Sequence, residues 1–312
     1  MVLYNKVTRE FFKMLYAQKN AAEKRIDFRK QLASGKLLRF PGAINPLSAM
    51  MIEKKNFEGV YISGAVLSAD LGFPDIGLTT LPEVAERGAQ ITRMSNLPSI
   101  IDVDTGFGVA MNMARSIQTL EDAGISGCHL EDQENPKRCG HLDNKVIVPI
   151  EEMTTKVKAA AEARRDENFL IIARTDAKAS EGMEKAIDRA KAYVDAGADM
   201  IFPEALHTEV EFEIFREAID VPLLANMTEF GKTELLTTDQ LSNLGYNLVI
   251  YPVTNLRIAM GAIEKCLDTI NEKGTQASLL DEMQHRKDLY ELLGYEEYNH
   301  FDKSIFNFKL AS

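Results

Sequence analysis

The sequence contains few cysteines and no long hydrophobic segment. Only Cys128, Cys139 and Cys266 occur among its 312 residues, and their spacing fits neither a disulfide framework nor a zinc site. No apolar run approaches the roughly 20 residues that a membrane-spanning helix requires. The first 30 residues are rich in charge and lack the apolar core of a signal peptide. We therefore expect a soluble cytoplasmic protein without a membrane partner.

Positive charge is also scarce. The chain has 36 Lys and Arg against 47 Asp and Glu, and its formal net charge is -11 at pH 7. A phosphate backbone repels a chain of this sign, so we expect no nucleic-acid partner. A hydrophobic share of 45% is enough for a large core, and the lack of low-complexity tracts excludes the disordered and fibrous classes.

The chain does contain a regular alternation of short apolar runs and longer amphipathic segments. Eight runs rich in Val, Ile and Leu span residues 37–41, 59–63, 99–104, 127–131, 169–174, 199–204, 221–226 and 247–252. Eight helix-like segments span residues 46–57, 82–94, 111–122, 150–165, 181–196, 209–218, 238–244 and 256–273. This alternation predicts an α/β fold, a (β/α)8 TIM-type barrel.

Turn chemistry and missing motifs favour the barrel over its main rival. Gly124, Gly197 and Gly245 stand where predicted helices end, as is typical of helix-to-strand joints. A doubly wound open sheet for dinucleotides would carry G-x-G-x-x-G after its first strand, and no such run is present. Residues 231–233 resemble the end of a P-loop, but Asn226 stands where its first glycine belongs. We therefore do not expect nucleotide binding.

The barrel accounts for most of the chain. We assign residues 1–36 to an N-terminal helical segment, residues 37–273 to the barrel and residues 274–312 to a C-terminal helix and tail, all in one domain. An extra helix is predicted over residues 279–293. Such a helix more often docks on a neighbouring subunit or covers a rim than forms a new domain. We therefore expect a homo-oligomer.

Polar side chains stand at the carboxyl ends of the predicted strands, where barrel enzymes carry their chemistry. These residues are Ser63, Asp102 with Asp104, Glu131, Arg174, Glu204 and Asn226. Because side chains alternate along a strand, Asp102 and Asp104 share one face. The residues expected on the opposite face, against the helices, are Ile101, Val103, Cys128 and Leu130.

Carboxylates that converge on one barrel mouth repel one another unless a cation compensates them. Ligand sets made only of oxygen favour a hard ion, so we predict a Mg2+ site, with Mn2+ as a substitute. Asp104 is the first candidate ligand, Asp102 and Glu131 are expected to bind directly or through water, and Asp132 is expected to act through water. The alternative is that Arg174 and helix N-termini alone neutralise the cluster.

A cysteine lies in a basic loop after the fourth strand. Lys137, Arg138 and His141 surround Cys139, and Gly140 follows it. Neighbouring cations lower the pKa of a thiol, so Cys139 is a candidate for chemistry, although a solvated basic loop with an incidental cysteine gives the same pattern. Cys128 and Cys266 lie in apolar periodic segments and are expected in the core. His129 is expected to be a barrel-interior histidine rather than a catalytic one.

Six segments in this order resemble the 2-methylisocitrate lyases, a family of the isocitrate lyase and phosphoenolpyruvate mutase superfamily. They are DVDTGFG at 102–108, LEDQ at 130–133, KRCGH at 137–141, ARTD at 173–176, FPEA at 202–205 and NMTEFG at 226–231. The resemblance runs from about residue 40 to 290. The KRCGH element resembles the signature that isocitrate and methylisocitrate lyases share and that the phosphonomutase and oxaloacetate decarboxylase branches lack.

The resemblance implies cleavage of the tricarboxylate 2-methylisocitrate to pyruvate and succinate, within the methylcitrate cycle of propionate catabolism. Phe202 stands where isocitrate lyases carry tryptophan, and their large insertions are missing, so the methylated substrate is expected. One extra methyl changes binding by only about 1 to 3 kcal/mol, so preference rather than exclusivity is expected. The alternatives are an isocitrate lyase with relaxed specificity and a catalytically silent dicarboxylate-binding barrel.

The resemblance also implies roles for single residues. Asp102 and Asp104 match the metal-binding pair. The positions that match substrate contacts are Ser63, Gly64, Ala65, Asp75, Cys139, Gly140, Arg174, Glu204, Asn226, Met227, Thr228, Arg257 and Arg286. Ala65 departs from the glycine of many members, and its methyl could crowd the substrate carboxylate. A homotetramer that exchanges its C-terminal helix between subunits is likewise implied.

The catalytic assignments follow from the chemistry of the implied reaction. Cys139 is assigned as the general acid, and His141 and Lys137 set its pKa. Tyr61, or a carboxylate near the metal, removes the hydroxyl proton. Arg174 pairs with a carboxylate or with the developing alkoxide.

Overall fold

The structure is a computed structural model that describes residues 17–138 and 145–306. Lys19–Asn255 form one compact unit, and Leu256 and the residues after it belong to another. Among the described residues, no helix is both long and apolar enough to cross a membrane.

Within the described chain, eight parallel strands close into a barrel in the first unit. They are β1 (Leu38–Pro41), β2 (Val60–Ile62), β3 (Ser99–Asp102), β4 (Gly127–Glu131), β5 (Leu170–Thr175), β6 (Met200–Pro203), β7 (Leu224–Asn226) and β8 (Leu248–Tyr251). Strands β2 to β6 pair in chain order, and β8 pairs with β1 and β7. Bridges between Gly42 and Tyr61 and between Ile201 and Leu223 join these two sheets. The predicted (β/α)8 barrel is confirmed.

Helices alternate with these strands as predicted. In the described chain they are α1 (Ala21–Ala33), α2 (Pro46–Lys54), α3 (Gly64–Asp70), α4 (Leu81–Thr92), α5 (Ala110–Asp122), α6 (Ile150–Ala163), α7 (Lys178–Glu181), α8 (Met183–Asp195), α9 (Glu209–Ala218), α10 (Thr238–Asn243), α11 (Thr254–Lys273), α12 (Arg286–Leu292) and α13 (Tyr295–Phe306). A 3-10 helix spans Ala277–Glu282. The short helices α3 and α7 were not predicted, because one or two turns carry too little periodicity to detect.

Two expectations about the C-terminal part are wrong. The continuous helix predicted over residues 279–293 is broken, because Met283 and His285 have extended backbones and the His285 side chain caps α12 by accepting from the Lys287 N–H. Cys266 is only half-buried rather than in the core, because α11 contains no fully buried residue.

The alternation of side chains along the strands builds two layers of core. Phe40, Ile172 and Phe202 belong to the cluster inside the barrel. The residues expected to face the helices, Ile101, Val103, Cys128 and Leu130, belong to the cluster between strands and helices, as predicted. The first of these, the inner cluster, fills the barrel and leaves the carboxyl ends of the strands for polar groups. The second, between strands and helices, is the outer cluster.

Helix α1 covers the opposite end of the barrel, where the strands begin. Phe28 joins the inner cluster, with its ring centroid 5.2 Å from that of Phe40. Arg25 is buried and donates to the carbonyls of Glu121 and Ile125 at 2.8 Å and to the Asp166 carboxylate at 3.1 Å. One guanidinium thus satisfies two backbone acceptors before β4 and one carboxylate before β5.

Removing this guanidinium should destabilise the barrel. We expect Arg25→Ala to lower the free energy of unfolding by about 2 to 4 kcal/mol, because it leaves buried acceptors without donors. The exposed Lys30 on the same helix provides the control, and Lys30→Ala should change stability by less than about 0.5 kcal/mol. Denaturant unfolding followed by circular dichroism measures both, and equal losses would show that α1 contributes only its helical backbone.

Candidate active site

Two aspartates lie at the end of β3. The Asp102 carboxylate accepts from the backbone N–H of Gly64 at 3.2 Å and of Asp104 at 3.0 Å. A side chain at Gly64 would displace this carboxylate, since an added Cβ would lie 2.9 Å from an Asp102 oxygen. Asp104 has a left-handed backbone with φ of 47°, a conformation that Asp tolerates better than most residues. The start of α3 and the turn after β3 therefore hold both carboxylates close together.

The two aspartates differ in how readily they ionise. Burial opposes ionisation of Asp102, but the cations Lys137 and Arg174 bring its pKa below the usual value. Burial and the neighbouring Asp102 raise the pKa of Asp104 to about 6. Such a split is typical of two acids that share one site.

Lys137 reaches into this acidic group from the loop after β4. Its Nζ lies 2.8 Å from Asp104 Oδ1 and also forms an ion pair with Asp75. The side chain is buried, and although burial disfavours its charge, surrounding carboxylates such as Glu131 raise its pKa. Asp75, predicted from the resemblance alone, is thereby brought to the cluster.

Glu131 ends β4 and has no hydrogen-bond donor among the described residues for either of its buried carboxylate oxygens. Its Oε2 forms an ion pair with Arg174 Nη1 at 3.3 Å. Burial raises the pKa of Glu131 well above the usual value. Buried oxygens without donors are the groups that a cation or a substrate hydroxyl would satisfy.

These carboxylates fit a magnesium ion. Mg2+ binds through one or two carboxylates and keeps several water molecules or substrate oxygens. Asp102 and Asp104 supply two such groups, and Glu131 lies nearby as a further oxygen donor. Within the described ranges, no three His, Cys, Asp or Glu side chains are arranged to hold a metal by themselves. A hydrated ion on the aspartate pair agrees with both observations.

Arg174 on β5 is the central cation of the site. Its Nε and Nη2 donate to the two oxygens of Asp176 at 2.8 and 3.0 Å, and Nη2 lies 3.8 Å from Glu204 Oε1. The guanidinium carbon lies 5.2 Å from the centroid of the Phe202 ring. Arg174 therefore faces the site with one edge while the other edge is held by Asp176.

Three aromatic rings, Tyr61, His129 and Phe202, pack together next to these charged groups. The Tyr61 hydroxyl and His129 Nε2 are 2.7 Å apart, and the His129 ring packs edge-on against Phe202 with centroids 5.3 Å apart. His129 is fully buried in the barrel, as predicted. Burial raises the pKa of Tyr61 and lowers that of His129. Both groups are therefore neutral partners in a shared hydrogen bond.

The remaining predicted residues fall into four groups. Ser63 and Asn226 also lie at strand ends, where the Ser63 hydroxyl caps α3 and Asn226 Nδ2 donates to Glu204 at 3.3 Å. Met227 turns its side chain into the outer cluster, whereas Thr228 is buried beside it and Ala65 is half-buried in α3.

Cys139, Gly140 and His141 lie outside the described residues. Arg257 and Arg286 belong to the second unit, in α11 and at the start of α12, and both are exposed.

The sequence analysis missed Asp176 and Lys145, which complete the charge balance around Arg174. Lys145 Nζ lies 2.8 Å from Asp176 Oδ1, and both side chains are buried. A signal for Asp176 was available, since it stands two residues after Arg174 and so shares its side of the chain. Lys145 stands in an irregular segment where no periodicity marks which side chains turn inward.

Known proteins are similar to this chain over most of its length. Residues 28–271 match the family model of phosphoenolpyruvate phosphomutase. A probable 2-methylisocitrate lyase 1 of Corynebacterium glutamicum is 59% identical over 93% of this chain and 95% of its own. The 2-methylisocitrate lyase of Bacillus subtilis is 45% identical over 89% of this chain and 92% of its own. Phosphonopyruvate hydrolase, solved with oxalate and Mg2+, is 32% identical with a TM-score of 0.82 over 90% of this chain and 98% of its own.

A closed barrel with buried carboxylates and an arginine at its mouth defines the class as a barrel enzyme that acts on small acids. The chain belongs to the phosphoenolpyruvate phosphomutase family and, within it, to the 2-methylisocitrate lyases.

Binding of Mg2+ should depend on pH. Because the pKa of Asp104 is about 6, the ion must displace a proton from this site below that pH. We expect the affinity to fall about tenfold per pH unit below pH 6 and to level off above it. Calorimetric titration in two buffers of different ionisation enthalpy measures the affinity and the released proton. An affinity that stays constant from about pH 5 to 7.5 would remove Asp104 from the ligand set.

Proposed function

We propose that the protein is a Mg2+-dependent carbon–carbon lyase that cleaves 2-methylisocitrate to pyruvate and succinate in the methylcitrate cycle. The observation that carries the proposal is the buried pair Asp102 and Asp104 beside the buried Arg174, at the mouth of a barrel. Relatives that carry the name of this activity match most of the chain, which supports the choice of substrate.

The charge of the site supports a metal-assisted reaction of an anionic substrate. Carboxylates outnumber the three cations Lys137, Lys145 and Arg174 in the cluster described above, so a tricarboxylate would be repelled unless further positive charge were present. The chemistry that a divalent cation supplies at such a site is Lewis-acid stabilisation of an ionising oxygen. Asp102 and Asp104 would hold the ion, and Arg174 would bind a substrate carboxylate or the oxygen that loses its proton.

The reaction needs one proton removed and one proton delivered. The substrate 2-hydroxyl loses its proton, its oxygen becomes the carbonyl of pyruvate, and the carbon–carbon bond breaks. The bonding electron pair passes to the succinate fragment, whose carbon then takes a proton. Preorganised donors such as Asn226 and Thr228 would stabilise the charge that develops on this fragment.

For the group that removes the hydroxyl proton, burial supports a carboxylate over Tyr61. Burial raises the pKa of Tyr61, so its phenolate is rare, and its hydroxyl is already shared with His129. Both Glu131 oxygens are buried and accept no hydrogen bond from the described residues, so they are free to accept one from a substrate hydroxyl. Tyr61 would then orient the substrate or relay the proton to His129.

Cys139 remains the proposed general acid, with Lys137 and His141 setting its pKa. The position of Lys137 at the aspartate pair supports this, because Cys139 follows it by two residues. Gly140 would contribute its backbone, and Arg257 and Arg286 remain proposed substrate contacts. The small number of cysteines supports a reducing cytoplasm as the location.

We also propose a homotetramer that exchanges its C-terminal helix. On α11, Ile263, Leu267 and Ile270 are spaced like one face of a helix and are 47%, 62% and 42% exposed. A second copy of the chain would cover such a face. Light scattering that returns only the 34.9 kDa of one chain would contradict the proposal.

The test of function compares two substrates. Purified protein with Mg2+ is given 2-methylisocitrate or isocitrate, and pyruvate or glyoxylate is measured. We expect pyruvate from the first and much less glyoxylate from the second, by about 10- to 150-fold in kcat/KM. Comparable rates would indicate a lyase of relaxed specificity, and no product from either would leave a silent binding barrel.

Replacement of the proposed acid should separate chemistry from binding. We expect Cys139→Ser to lower kcat by at least about 1000-fold while Mg2+ and succinate binding stay within about threefold. Cys266→Ser is the matched control, since Cys266 is a half-buried cysteine of the second unit, and it should keep full activity. Activity near that of the wild type in Cys139→Ser would end the general-acid assignment.

A further inference from the structure

Asp176 forms an ion pair with Arg174, the arginine of the proposed site. Its two carboxylate oxygens accept from Nε and Nη2 of Arg174 at 2.8 and 3.0 Å, which is a bidentate ion pair. The side chain of Asp176 is fully buried. Because the pair engages one edge of the planar guanidinium, it fixes the plane of the group and leaves Nη1 directed at Glu131, 3.3 Å away.

The same carboxylate binds a second buried cation. Lys145 Nζ lies 2.8 Å from Asp176 Oδ1, and its side chain is 3% exposed. Although burial alone would raise it, Arg174 and Lys145 bring the pKa of Asp176 below the usual value. The carboxylate is therefore ionised and shared between two cations.

Lys145 has a particular place in the chain, immediately after residues 139–144 and six residues after Cys139. The backbone on either side of this segment is paired, since Glu134 N–H donates to Val146 at 2.9 Å and Val148 N–H donates to Asp132 at 2.9 Å. The ion pair with Asp176 thus joins the end of the cysteine-containing segment to the arginine of the barrel.

A further buried acid fixes Asp176 in turn. Asp132 accepts from the backbone N–H of Asp176, from the Thr175 hydroxyl and from the Tyr193 hydroxyl of α8, each at 2.8 Å. With three donors on one carboxylate, the backbone at Asp176 has little freedom to rotate.

We propose that Asp176 is a positioning residue of the lyase reaction, which fixes the guanidinium of Arg174 toward the site and ties it to Lys145. The inference rests on the proposed function. Asp176 touches neither substrate nor metal in this scheme and acts only through Arg174.

A kinetic double-mutant cycle tests whether Asp176 acts through Arg174. We expect Asp176→Asn to lower kcat about 30- to 100-fold with a smaller change in KM, because a displaced guanidinium mainly costs geometry in the transition state. In an Arg174→Lys background, which cannot form the bidentate pair, the same change should cost less than about threefold. An equal loss in both backgrounds would overturn the proposal, since a merely structural role does not depend on Arg174.

A second variant, Lys145→Met, tests the proposal if Asp176→Asn fails to fold. Lys145→Met keeps the volume of the side chain and the Asp176–Arg174 pair, and we expect a loss in kcat of about 3- to 10-fold. Lys156→Met is its control, because Lys156 is similarly buried on α6 but pairs with Glu152 instead. Equal losses in the two lysine variants would contradict a specific link to the site.

A spectroscopic readout separates this proposal from the proposed function. The Nε–H signal of Arg174, assigned by its loss in Arg174→Lys, should exchange slowly with solvent in the wild type. It should shift and exchange faster in Asp176→Asn, and stay unchanged in Lys156→Met. An unchanged signal in Asp176→Asn would refute the positioning contact even in an active lyase. If the wild type cleaves neither substrate but its Arg174 signal is protected and loses that protection in Asp176→Asn, the contact is upheld and the proposed function is rejected.

Discussion

The balance of buried charge around Arg174 and Lys137 is the constraint on which the site depends. Arg174 binds Asp176 and faces Glu131 and Glu204, and Lys137 binds Asp75 and Asp104. Burying a charge without a partner costs several kcal/mol, so each of these groups is held where its partners are. The barrel therefore fixes the directions of its polar side chains by electrostatics as much as by packing.

The two ends of the barrel divide stability from chemistry. At the amino ends of the strands, Arg25 of α1 satisfies backbone carbonyls, and Phe28 completes the inner apolar cluster. At the carboxyl ends, both Glu131 oxygens lack a hydrogen-bond donor among the described residues and so retain capacity to bind, and burial raises the pKa of this group. A group with an unsatisfied oxygen costs stability in the free protein and gives binding capacity in return. The contacts of Arg25 and Phe28 at the amino ends thus stabilise the barrel and offset the unsatisfied oxygens at the carboxyl ends.

Much of the architecture could be predicted from local patterns. All eight strands followed from the alternation of apolar runs with amphipathic segments, and the period of two placed Cys128 and Leu130 on the face that packs against the helices. The break at Met283 and His285 was not predictable in the same way, because an imidazole that caps a helix leaves no mark in an apolar pattern. Lys145 was missed for a related reason, since its partner Asp176 lies 31 residues away along the chain.

By itself, the sequence determined the barrel, the strand ends that carry polar groups and the family, because each depends on short-range periodicity or on contiguous motifs such as KRCGH. Only the tertiary structure decided which charges meet. In the structure, Lys137 forms ion pairs with Asp104 and Asp75, and Arg174 forms one with Asp176. Tyr61 shares a hydrogen bond with His129. These contacts link different strands and loops, and their geometry, burial and pKa values follow from distances in space that no spacing along the chain encodes.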